Sequence, residues 1–101
     1  MKLNISERLS LSQLCFPEHS GKIEMILIDS IIRKVEITAD EITEFGISEK
    51  DGVISWKTGK EVEFEFTPEQ VDVLKQASKR TDEQKKVTRN ILSLIQKIDN
   101  A

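Results

Sequence analysis

The chain has 101 residues, a third of them charged, with a net charge of −3, one cysteine and one histidine. That length makes a single domain, residues 1–101, with room for one hydrophobic core. One cysteine excludes an intramolecular disulfide, and the balance of apolar to charged residues excludes a disordered chain.

The opening "NISE" places Asn4 as a helix cap with Glu7 three residues on, so each side chain can satisfy an orphan backbone N–H. The helix that follows is expected to run to about Cys15 or Phe16, where Pro17 stops it. After the turn "PEHSG", Ser20 caps a second helix predicted over 21–36. Its apolar residues Ile23, Met25, Leu27, Ile28, Ile31, Ile32 and Val35 cover an arc of about 200°, which predicts a central helix covered from several sides. This is also the longest apolar region, and Glu24, Asp29, Arg33 and Lys34 interrupt it too often for a bilayer span. Thr38 and Glu41 then form a second capping box, with Ile37 stapled to Ile42 and Gly46 supplying the left-handed residue that ends a two-turn helix.

A hairpin is predicted next, with strands about 53–57 and 61–66. Ile54, Trp56, Val62, Phe64 and Phe66 belong to its dry face, and Glu61, Glu63 and Glu65 to its wet one. Opposed residues of an antiparallel pair share a face, so a three-residue loop, Lys57-Thr58-Gly59, is expected, pairing Ile54 with Val62. "FTPEQV" opens the next helix with a Thr67 cap, Pro68 at the first position and Gln70 reaching back. Its modest stripe of Val71, Leu74, Ala77 and Ser78 predicts a peripheral helix. The last helix begins either at Thr81, boxed with Gln84, or at Thr88, and carries Val87, Ile91, Leu94, Ile95 and Ile98 to about residue 98. The fold class is α+β: four to five helices packed on one face of a two-stranded antiparallel hairpin.

Four features bear on chemistry. Cys15 and His19 are four residues apart, the spacing of a thiolate–imidazole pair, but Pro17 between them ends the helix. Two ligands also fall short of the three or four protein ligands that zinc sites generally use. They are read as a buried helix-end cysteine and a loop histidine. Trp56 is either a stacking or anchoring residue, if exposed, or part of the hairpin's dry face; its phase with Ile54 predicts burial. The glutamates at 61, 63 and 65 solubilise an outer face and blunt an edge strand, with Lys57 and Lys60 as partial counter-charges. Lys75, Lys79, Arg80, Lys85, Lys86 and Arg89 form a basic cluster, interrupted by Asp82 and Glu83, and are the residues a nucleic-acid-binding role would use. No phosphate loop, dinucleotide fingerprint or serine elbow is present, and no catalytic, cofactor or metal site is expected.

Three stretches, "LNISERLSLSQLCFPEHSG", "ADEITEFGI" and "ISWKTGKEVEFEFTPEQVDVLKQASKRTDEQKKV", together resemble small proteins of phage and prophage regions. Those carry an "ERL" and a later proline and glycine near the start, an acidic centre ending "FGI", a tryptophan-containing strand, an "EFT" strand and a lysine-rich junction before a last helix. This chain has Cys15-Phe16 where such proteins often have Leu-Leu. The resemblance implies a phage or prophage context; those proteins have no assigned activity, so it carries over no site residue. The expectation is a non-enzymatic protein, an accessory or assembly factor, working through an unknown protein partner or self-association by its hairpin edge or last helix. The alternative is a nucleic-acid-binding accessory using the basic 75–89 region. With Glu7 and Arg8 where a secretory signal needs an apolar run, the expected location is cytoplasmic, the host cytoplasm if phage-encoded.

Overall fold

A computed structural model describes residues 1–57 and 60–101. The architecture is α+β. Its elements in chain order are β1 (Lys2–Leu3), α1 (Ile5–Ser10), a 3-10 turn (Leu11–Gln13), α2 (Lys22–Lys34), α3 (Ala39–Phe45), β2 (Ser48–Lys50), β3 (Val53–Ser55), β4 (Val62–Glu63), α4 (Pro68–Glu83) and α5 (Arg89–Asp99).

Three helix starts follow the capping chemistry, whereas α2, expected over 21–36 behind a Ser20 cap, starts after Gly21 with no side-chain cap and ends at Lys34. Asn4 accepts from the Glu7 N–H at 2.8 Å while Glu7 accepts from the Asn4 N–H at 2.9 Å. Thr38 with Glu41 and Thr67 with Gln70 close the same reciprocal box. The first helix is shorter than expected: α1 ends at Ser10, tightens into the 3-10 turn, and the chain is already extended at Leu14. Thr81 caps nothing. It lies inside α4, fully buried, and the last helix starts after Thr88.

Two helix ends use left-handed backbone, by different means. Gly46 ends α3 at φ 62°, with the Ile47 N–H bonded to the Ile42 carbonyl at 3.0 Å. Lys85 ends α4 at φ 55°, with the Lys86 N–H bonded to the Thr81 carbonyl at 3.0 Å, so a lysine occupies a glycine position. Gly46→Ala is expected to destabilise the fold by about 1–2 kcal/mol, because a Cβ there would also meet the Lys57 side chain at 3.1 Å. Lys85→Gly, relieving the same conformation, should stabilise it by about 1 kcal/mol or less. Urea denaturation of the two variants checks both signs.

The core joins Leu3, Leu11 and Leu14 from the start of the chain to Ile28, Ile31 and Val35 of α2, Val73, Leu74 and Ala77 of α4, and Ile91, Leu94, Ile95 and Ile98 of α5. The order of centrality is the reverse of the expected one. α4 packs between α2 and α5, whereas α2 leaves Ile23 and Ile26 exposed. The reason lies in the small and polar residues of α4. Ala77, Ser78 and Thr81 let neighbours approach closely, and the buried polar groups each find a partner on another element. Gln70 Nε2 donates to Ser30 Oγ at 3.0 Å, Ser78 Oγ to Asp99 Oδ1 at 3.0 Å, and Thr81 Oγ1 accepts from the Cys15 N–H at 2.9 Å. Each such bond is worth about 1 kcal/mol, and leaving one unmade costs more.

Strand pairing also differs from the expected hairpin. β4 pairs antiparallel with β1, Leu3 opposite Val62 and Lys2 opposite Glu63, and the Phe64 N–H continues the ladder to the Met1 carbonyl at 2.9 Å. β3 pairs with β2 instead, Ile54 opposite Glu49 and Val53 opposite Lys50. Ile54 therefore does not face Val62. The two-residue turn between β2 and β3 is Asp51-Gly52, at φ 53° and 77°, a combination that matches the right-handed twist of paired strands. Of the expected loop Lys57-Thr58-Gly59, Thr58 and Gly59 lie outside the described residues.

Candidate contact surface

The β2–β3 hairpin grows out of the end of α3. Gly46 turns the chain into β2, and the Lys57 N–H just after β3 returns to the Phe45 carbonyl at 2.9 Å. Phe45 is buried and anchors this corner, but the ribbon it carries stands in water. Val53 is 65% exposed, Ile54 42% and Trp56 38%, and Ile42 on α3 is exposed as well. Trp56 is thus not covered by a helix, contrary to the expectation from its phase with Ile54. By parity the two residues fall on one side of the strand, but with β3 paired to β2 rather than to β4 that side lies outside the hydrophobic core.

Hydrogen bonding along the ribbon leaves the outer edges of both strands unpaired among the described residues. In a two-residue hairpin the closing pair, here Lys50 and Val53, exchanges hydrogen bonds, and successive pairs alternate. The N–H and C=O of Ile54 therefore face away from β2, and among the described residues β3 has no second strand beside it. The outer edge of β2 carries Glu49 and Lys50, whereas residues 53–56, Val-Ile-Ser-Trp, have neither charge nor proline. Natural edges are usually blunted by such residues. This one is not.

The other sequence-derived candidates fall elsewhere. The Cys15 thiol, half-buried beyond the 3-10 turn rather than at a helix end, approaches Gln84 Oε1 at 3.7 Å, while His19 sits exposed in the turn before α2. Among the described residues no cluster of three or more His, Cys, Asp or Glu is arranged to hold a metal ion. The glutamates at 61 and 63 have counter-charges other than those expected: Lys97 Nζ lies 2.9 Å from Glu61 Oε2 and the Met1 amine 3.2 Å from Glu63 Oε1. Lys60 pairs with Glu44 at 3.6 Å.

The basic residues do not form one clean face. Lys75 and Lys79 share a side of α4 with Asp72 and Asp82, and Lys79 meets Glu83 at 3.9 Å. Arg80 is half-buried, donating to the Cys15 carbonyl at 3.4 Å. Lys85, Lys86 and Arg89 are exposed at the junction of α4 and α5.

Two buried charged clamps lie beneath the surface, and the sequence alone did not reveal either. Arg8 donates from Nε to the Val35 carbonyl at 3.0 Å, from one terminal nitrogen to the Glu36 carbonyl at 2.8 Å, and to both oxygens of Glu41 at 2.6 and 2.8 Å. It also lies over the Phe64 ring at 5.1 Å. Glu7, 1% exposed, accepts from Lys97 Nζ at 2.7 Å, and its other oxygen, Oε2, has no hydrogen-bond partner among the described residues.

The Arg8 fork, outweighing the cost of burial and helped by Thr38, holds the Glu41 carboxyl down to about 2. A carboxylate with a depressed folded-state pKa contributes stability that is fully present above its unfolded value. That contribution is lost as pH falls through the folded value. The melting temperature is therefore expected to drop between pH 4.5 and about 2, and Glu41→Gln should flatten that part of the profile. A drop unchanged in Glu41→Gln would assign it to other carboxylates.

No helix among the described residues is long and apolar enough to cross a membrane. No protein-family model, curated protein or solved structure matches this chain.

Proposed function

We propose that this chain is a non-enzymatic protein-contact module, an accessory or assembly factor of a phage or prophage, and that its contact surface is the β2–β3 hairpin. The observation that carries the reading is the open, uncharged edge of β3 with Val53, Ile54 and Trp56 exposed along it. Main-chain groups on such an edge supply hydrogen bonds to an added strand, and side chains at alternate positions supply selectivity. A half-exposed tryptophan is the residue type that most often dominates the energy of a protein contact.

The test is capture from an extract of the native host with immobilised protein, comparing the unaltered chain with a Trp56→Ala/Ile54→Ser variant. Both side chains lie outside the core, so the variant should melt at nearly the same temperature. The captured partner is expected to fall at least about tenfold, the equivalent of about 1.4 kcal/mol. An identical set of partners at identical yield would reject the hairpin as the surface. The nucleic-acid alternative makes the opposite prediction. It requires salt-sensitive DNA or RNA binding that is lost on charge reversal at Lys85 and Lys86 and indifferent to Trp56.

A further inference from the structure

The open edge also limits what can pair with it. We propose that the outer edge of β3 pairs antiparallel with β3 of a second copy of this chain, Ile54 facing Ile54 across a two-fold axis. This rests on the reading of the hairpin as the contact surface and names its partner.

The register follows from three constraints. A two-fold axis perpendicular to the sheet keeps opposed residues on the same face, so even-numbered residues oppose even-numbered ones. The outward N–H and C=O of Ile54 must meet outward groups, which leaves residue 52, 54 or 56 of the other copy as its partner. Gly52 is in the turn, at φ 77°, and cannot serve as a strand residue. Pairing Ile54 with Trp56 is also open to the outward groups, but it would carry the Asp51 turn of one copy past Lys57 of the other and give up the opposite-charge contacts at the two ends of the strip.

Pairing Ile54 with itself gives two mutual hydrogen bonds. It sets Val53 against Ser55 and places Trp56 over Gly52, a bare stretch of backbone that an aromatic ring covers well. It also brings Asp51 at the turn of one copy beside Lys57 of the other, twice. Opposite charges therefore meet at both ends of an otherwise uncharged strip. The β2 edge offers no such match: pairing it with itself about its central residue would oppose Glu49 to Glu49. Self-pairing at β3 makes one four-stranded sheet in the order β2-β3-β3-β2, whose two outer edges are the charged ones.

The interface is short, below the area typical of a permanent dimer, so association is expected in the upper micromolar range. Sedimentation equilibrium from about 10 µM to about 1 mM should show the mass moving from 11.6 kDa towards twice that value. Trp56, the only tryptophan, should shift its emission to the blue over the same range. Ile54→Lys should stay monomeric throughout, whereas Glu49→Lys should associate as the unaltered chain does.

In a Cys15→Ser background, Ile54→Cys should give a covalent dimer under mild oxidation, since opposed Cα atoms in a hydrogen-bonded pair lie about 5.5 Å apart. Glu49→Cys should not. A monomer at the highest concentration overturns the proposal. So does a dimer that survives Ile54→Lys or depends instead on the exposed Ile23 of α2, and so does cross-linking from position 49 but not from 54. A strict monomer that still captures a host partner through Trp56 would sink the self-pairing alone and leave the contact-module reading standing.

Discussion

Replacing Arg8 with alanine is expected to cost the fold about 3–5 kcal/mol, a large part of the total stability of a domain this size. Several kinds of contact are lost together. The guanidinium bridges α1 to the carbonyls of Val35 and Glu36 at the end of α2 and to Glu41 in the first turn of α3. In alanine's place, the buried Val35 carbonyl loses its donor, Glu41 loses its counter-charge, and the Phe64 ring loses the cation above it.

Arg8→Lys is a sharper probe than alanine, because it keeps the charge and removes the planar fork. A single ammonium cannot reach both carbonyls and both carboxylate oxygens, so a loss of about half the alanine effect is expected. Urea denaturation with an unchanged m-value is the measurement. A cost below about 1 kcal/mol for Arg8→Ala would place this clamp among ordinary surface ion pairs, which are worth that little.

What the sequence made legible was local, and what it concealed was long-range. Asn4/Glu7, Thr38/Glu41 and Thr67/Gln70 could be read as helix starts because a capping box is complete within four residues. Gly46 could be read as a stop for the same reason. The β1–β4 pairing could not, because Leu3 and Val62 are some sixty residues apart and β1 is only two residues long. Everything that depends on this pairing is hidden with it. With Val62 as the partner of Ile54, Trp56 would belong to a covered face. With Val62 given to Leu3, the β3 edge and Trp56 come out into water.

The same limit explains the helices. Hydrophobic count makes α2 look central, yet α4 buries Gln70, Ala77, Ser78 and Thr81 beside Val73 and Leu74, and a periodicity argument scores those small and polar residues as weak. Arg8 carried a faint signal. By helical phase it falls between Ile5 and Leu11, both buried, where a charge must find partners. Nothing local says that those partners lie on α2 and α3.

The second clamp supports a different kind of test, because one of its members is already under-satisfied. Lys97 Nζ donates to the Lys2 carbonyl at 2.8 Å, to Glu7 at 2.7 Å and to Glu61 at 2.9 Å, tying α5 to β1, α1 and the residue before β4. Burial pushes the Glu7 carboxyl up, and the Asn4 N–H, Lys97 and the Ser93 hydroxyl together outweigh it, so the group is held below the usual carboxylate range. Lys97→Met keeps the stem and removes the cation. With Oε2 already lacking a partner among the described residues, the variant should lose about 2–4 kcal/mol at pH 7, discounted from a fully buried pair because Lys97 is partly open to water.

The loss of that cation should also reverse the pH dependence. Once burial dominates, the folded-state pKa of Glu7 lies above the unfolded value. The folded variant then binds the proton more readily, and its penalty is relieved as pH falls through that raised pKa. The unaltered protein should gain nothing between pH 7 and pH 5, while Lys97→Met should recover stability over that interval. Adding Glu7→Gln to Lys97→Met should abolish the recovery. A variant equally destabilised at both pH values would mean that water, rather than the lysine, carries the charge of Glu7.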